Sequence, residues 1–142
     1  MKIVKKNTAV AVAAATVVML SVAATAYSDY ATGSAGAYGT LSGQTTVLQS
    51  GSFTIFTTYT RTSQAAPQLR AAIRVTNTRN GVIAYNNEGA PVIAYDTTST
   101  SCQAPGLSKS SPYSSYSTNE VYGGNGVRIN YVNTVGDNND MR

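Results

Sequence analysis

Three carboxylates, Glu88, Asp96 and Glu120, are the residues whose type suits hydrolytic chemistry. A pair of such acids flanking a glycosidic bond can serve as proton donor and as nucleophile or base. All three lie in or beside turn-like or strand-like stretches, with no motif tying any two together, so they are read as solvated and the chain as non-catalytic. The sequence contains no histidine. Ser-His-Asp and Cys-His nucleophile systems and the usual zinc sites are therefore ruled out. The acidic run Asp137-Asn138-Asn139-Asp140 lacks the following glycine and distal glutamate of a calcium loop. No catalytic residue, cofactor or metal is assigned.

What remains is binding chemistry. Arg61, Arg70, Arg74 and Arg79 fall between residues 53 and 87 with no acid among them, whereas five of the six acids lie at Glu88 or beyond. An arginine row of this kind suits an anionic surface, and such contacts weaken with salt. There are ten tyrosines and no tryptophan. Tyr30, Tyr38, Tyr113, Tyr116 and Tyr122 lie in or beside loop-like stretches, where an amphipathic ring can stack on a sugar or anchor an interface. The candidate contact surface is accordingly Arg70, Arg74 and Arg79 with Tyr113, Tyr116 and Tyr122. Its expected partner is a cell-wall polymer or a surface protein.

The elements that must position these side chains begin after residue 26. Lys2, Lys5 and Lys6 precede an uncharged Ala/Val-rich run that ends at Ala24-Thr25-Ala26, the layout of a signal helix with a small-residue cleavage site. The protein is therefore expected to be secreted or held at the cell surface, with no stable transmembrane span after cleavage. Without the three lysines, ten basic residues become seven against six acids, a net charge of about +1. That surplus is too small for a nucleic-acid partner.

Residues 27–37 are rich in Gly, Ala and Ser and read as a flexible leader. From Tyr38 the chain alternates in the two-residue period of strands. Leu41 with Val47 or Leu48 are inward candidates in the first run, and Gly43 reads as a bend or bulge. Ser50-Gly51 turns into SFTIFTTYTRT, with Thr54, Phe56, Thr58 and Thr60 on one face and Phe53, Ile55 and Tyr59 on the other. After a connection containing Pro67, Leu69, Ala71, Ile73 and Val75 form an apolar row opposite Arg70, Arg74 and Thr76. Asn80-Gly81 can adopt positive φ cheaply, which predicts a hairpin. Residues 91–96 make a short strand, and 97–119 read as a long loop. A last strand from Val127 is expected to turn Val127, Ile129, Tyr131 and Val135 inward and Arg128 and Asn130 outward.

These runs predict an all-β fold, an antiparallel β-sandwich of about six or seven strands over residues 38–136, followed by a frayed tail at 137–142. Cys102, the single cysteine, falls in the loop-like stretch. It reads as an incidental thiol, with a disulfide-linked dimer as the alternative.

One stretch, and then the chain as a whole, carry resemblances. Tyr122-Gly123-Gly124-Asn125-Gly126-Val127 is similar to the YGNGV box of pediocin-like bacteriocins but has an extra glycine and no following cysteines, as a glycine-rich turn would. The whole chain after residue 26 resembles the small secreted β-sandwich proteins of Gram-positive bacteria, including lactococcin-like bacteriocins. The likeness rests on the YGTLSG stretch at Tyr38 to Gly43, the Thr-rich strands, the Asn-Gly hairpin and the Ser/Tyr/Gly stretch from Ser114 to Tyr131. It implies an exported protein acting at a neighbour's envelope and carries over no site residue.

Overall fold

A computed structural model describes residues 25–139. The signal helix read over residues 1–26 lies outside them, except for Thr25 and Ala26, which open the first strand. The strands are β1 (Thr25–Ser34), β2 (Thr40–Ser50), β3 (Phe53–Asn77), β4 (Ile83–Asn86), β5 (Val92–Gln103), β6 (Leu107–Ser108), β7 (Tyr113–Tyr122) and β8 (Arg128–Asp137). All pairings are antiparallel, in one sheet of order β1-β2-β3-β7-β8, with β4, β5 and β6 also paired to β3.

The all-β, antiparallel expectation therefore holds, with eight strands in place of six or seven. The layers are halves of one sheet because β3 belongs to both. Its 25 residues would span about 80 Å if straight, so the strand must curl. It does so between Arg61 and Ala66, where four residues of β3 stand opposite only Thr98 of β5. Before this corner β3 lies between β2 and β5; after it, between β7 and the β5/β4 edge. Pro67 lies just past the bulge and is accommodated inside the strand.

Curling brings the two edges, β1 and β8, together into a nearly closed barrel. Side chains join them at this seam: Val135 N donates to Asp29 Oδ2 at 2.9 Å, and Asn130 Nδ2 donates to Ser34 O at 2.9 Å. The predicted flexible leader is thus mostly β1, ordered by β2 on one side and the seam on the other.

Inside, two apolar clusters are separated by a polar belt. Val47, Phe56, Ala71, Ile73, Val75, Cys102, Ala104 and Tyr113 form one cluster. Leu41, Ala66, Leu69, Val121, Val132 and Ala35 form the other. Between them Asn119 Oδ1 accepts from Thr58 Oγ1 at 3.0 Å and from Thr60 Oγ1 at 2.7 Å. Its Nδ2 donates to Thr134 Oγ1 at 3.4 Å, and the chain of hydroxyls continues through Thr45 to Ser117 at 2.7 and 2.8 Å. Gly43 makes room for this belt: a Cβ there would stand 2.6 Å from Asn119 Nδ2 and 2.8 Å from Val132 Cγ2. The bend expected at Gly43 is absent, and β2 runs through it in regular register.

The predicted row Leu69, Ala71, Ile73 and Val75 is fully buried, and Arg70 and Arg74 lie on the opposite face. The Asn-Gly turn forms as expected, with Gly81 at φ 72 and its N–H bonded to Asn77 O. The last strand is phased the other way. Val132, Thr134, Gly136 and Asn138 point inward, while Ile129, Tyr131 and Val135 are exposed, because the interior there is the polar belt. An extra β8 residue opposite the Val121/Tyr122 step keeps Arg128 outside as well. The loop read over 97–119 is instead the rest of β5, then β6 and β7. Nor is the chain frayed at Asn138: its side chain holds Tyr113 N, Thr54 Oγ1 and Ser111 O.

Cys102 sits on β5, buried in the first cluster, where its sulfur accepts from Asn87 Nδ2 at 3.0 Å. In that position it is no loop thiol, and a disulfide to a second chain would require local opening. Burial pushes the thiol above its ordinary value of 9.0, outweighing the hydrogen bonds from Tyr85 and Asn87 that pull it down. The folded state thus retains this proton longer than the unfolded chain does, so stability falls as pH rises above the unfolded value.

Three outcomes follow for stability. Gly43→Ala should cost about 1–3 kcal/mol in urea unfolding through overpacking against Asn119 and Val132. Ile73→Lys should abolish cooperative unfolding by burying an unpaired charge, whereas Arg74→Ala should change stability by less than about 1 kcal/mol. Loss of stability between about pH 9 and 10 should be smaller in Cys102→Ala than in the parent chain; equal losses would place the responsible group elsewhere.

Candidate functional site

The outer face of β3 beyond its corner, with β5, β7 and β8, collects most of the chemistry read from the sequence. Cross-strand register sets it in rows. Ile93, Arg70, Glu120 and Tyr131 form one; Tyr95, Gln68, Tyr122 and Arg128 a second; Asn86, Arg74, Tyr116 and Val135 a third. β7 reaches this face because its sequence YSSYSTNEVY alternates, placing Tyr116, Thr118, Glu120 and Tyr122 outside and Tyr113, Ser115, Ser117, Asn119 and Val121 inside.

Each arginine on the face is held. Arg70 lies over the Tyr122 ring at 4.2 Å. With its amide carbonyl turned toward Arg70, Gln68 accepts from Nε at 2.6 Å and Nη2 at 2.8 Å. Arg128 bonds Glu120 at 2.9 Å and covers the Tyr131 ring at 4.6 Å. Arg74 meets Glu88 at 3.3 Å and stands 5.9 Å from the Tyr116 ring centre. Such cation–π contacts and ion pairs at exposed sites are weakened by solvent screening and add little to stability. Their effect is to fix side-chain positions more than to stabilise the fold.

Of the six predicted contact residues, the structure brings four together: Arg70, Arg74, Tyr116 and Tyr122. Arg79 is at the exposed tip of the β3–β4 hairpin, off the sheet face. Tyr113 is buried in the first apolar cluster and leaves the candidate surface. The phase of β7 explains this, since Tyr113 is an odd number of positions from Tyr116. Tyr95, Tyr131, Gln68 and Arg128 join the face without having been singled out as contacts; Tyr95 and Tyr131 are 66% and 46% exposed.

Glu88 and Glu120 each hold a different arginine, and Asp96 sits near the β3 corner at φ 49. With the arginines set among Glu88, Glu120 and Asp137, the face carries no large single-sign field. At the β7/β8 end, near the seam, lies a cleft of about 350 Å³ whose walls include Tyr27, Arg74, Thr76, Ser114, Tyr116 and Asp137. Among the described residues no group of three or more His, Cys, Asp or Glu is placed to hold a metal, and no helix is long and apolar enough to cross a membrane.

No protein-family model, curated protein or solved structure significantly matches this chain.

Proposed function

We propose that the protein is a secreted, non-catalytic module that binds the cell envelope, holding a neutral, hydroxyl-rich wall glycan on the outer face of β3, β5, β7 and β8. The observation that carries this reading is the set of tyrosines Tyr95, Tyr116, Tyr122 and Tyr131 on one face whose arginines are already pinned by rings and carboxylates. Rings with a polar edge suit sugars, which offer apolar C–H faces and hydroxyls together. The interleaved carboxylates argue against the anionic partner expected from arginines alone. The export-type opening and the low charge of the remaining chain support secretion.

A second reading, an envelope-directed antimicrobial polypeptide like the lactococcin-like bacteriocins, is favoured by one observation. The Ser114 to Tyr131 stretch that carries the resemblance builds the β7–β8 hairpin, and hence much of this face. Growth inhibition of related bacteria by the purified protein separates the two readings.

The binding reading predicts sedimentation with purified walls that changes less than about twofold between about 0.05 and 0.5 M salt. Replacing both Tyr116 and Tyr122 by Ala should weaken it by about tenfold or more. Binding that disappears at the higher salt would assign the partner to the anionic class instead.

A further inference from the structure

We infer that the cleft at the β7/β8 end of this face is a subsite for a single neutral pyranose unit of the bound glycan. This rests on the glycan-binding reading and adds where one sugar ring is gripped, and by which groups.

Three observations converge. First, the three arginine–tyrosine pairs on the face are not equivalent. At Tyr122 and Tyr131 the guanidinium carbon is 4.2 and 4.6 Å from the ring centre, so the cation already occupies one ring face. At Tyr116 the separation is 5.9 Å, and Glu88 holds the guanidinium from the β4–β5 side. The Tyr116 ring, 38% exposed against 46% for Tyr131, is therefore the one of the three whose face its arginine covers least.

Second, this ring lines the cleft of about 350 Å³, near the lower end of the roughly 300–1,000 Å³ of small-molecule sites. That volume suits one ring with its substituents better than a run of several.

Third, the polar groups around it form a mixed set. Arg74 supplies donors only, Asp137 acceptors only, and the Thr76 and Ser114 hydroxyls supply both. Adjacent sugar hydroxyls, each donor and acceptor, satisfy such a set. A phosphate or carboxylate would gain Arg74 but face Asp137, with Glu88 already on the arginine. The register explains the assembly: Thr76 pairs with Ser114, which pairs with Asp137, and Arg74 pairs with Tyr116 one row away. The irregularity in the β3–β4 pairing at Val75 and Thr76, where Ala84 of β4 is the extra residue, lies at this point of the sheet.

The test is amide chemical-shift mapping by ¹⁵N NMR on the purified protein, titrated separately with cellotetraose, maltotetraose, chitotetraose and inorganic phosphate up to about 10 mM. The expected result is saturable shifts at Thr76, Ser114, Tyr116 and Asp137 with at least one tetrasaccharide and none with phosphate. Tyr116→Ala and Asp137→Asn should each weaken that response by about fivefold or more, and Tyr116→Phe should retain it; Arg79→Ala, on the hairpin tip, should behave as the parent chain. The dispersed spectrum of each variant reports that it is folded. Shifts confined to the Tyr122 and Tyr131 end, a response to phosphate alone, or cleft shifts that survive Tyr116→Ala would each overturn the subsite. If the protein still sediments with walls while the cleft amides stay silent, the subsite fails and the glycan-binding reading stands. Failure of both measurements removes both.

Discussion

The structure depends on a buried polar knot centred on Asn119. One amide side chain on β7 gathers hydroxyls from β3 and β8, and Thr45 on β2 closes the chain of bonds between Thr134 and Ser117. In a low-dielectric interior each of these bonds is strong, and each group would be costly to leave unpaired. The knot therefore fixes which residues of four strands sit opposite one another, something that interchangeable aliphatic contacts specify poorly. It also explains the glycines at the barrel wall. Gly43 has no side chain because Asn119 and Val132 occupy the space, and Gly136 packs against Ser115 and Val47 in the same way.

The knot also ties the interior to the surface. Asn119 lies between Thr118 and Glu120 on a regular strand, so fixing its phase fixes Tyr116, Glu120 and Tyr122 on the outside and Tyr113 on the inside. The candidate face is thus the reverse side of the polar core. The positions of its side chains are then refined by weak contacts, arginine on ring and arginine on carboxylate, that need little energy because the backbone has already placed both partners.

Much of this was legible in the sequence where apolar residues alternate. The Leu69 to Val75 row, the Asn80-Gly81 reversal and the Ser50-Gly51 turn follow from periodicity and turn chemistry alone. Legibility failed where the buried face is polar. On β8 the inward residues are Val132, Thr134 and Gly136, with Asn138 just beyond the strand, so hydrophobicity pointed to the wrong side. On β5 and β7 the Ser/Thr content reads as loop, although threonine favours strands and the interior seats Ser115 and Ser117 of β7. At the candidate site the residue types were readable but their neighbours were not: Glu88 and Glu120 stand apart from Arg74 and Arg128 in the chain, and only strand pairing brings each beside its arginine.

The most direct measurement of this account is equilibrium urea unfolding of Asn119→Leu, which keeps the number and branching of the side chain's heavy atoms and removes its polar ones. Leaving the Thr58 hydroxyl without its partner, and taking one bond each from Thr60 and Thr134, which keep Arg70 O and Thr45, should lower stability by about 2 kcal/mol or more. A variant within about 0.5 kcal/mol of the parent chain would contradict the claim that this buried amide organises the barrel.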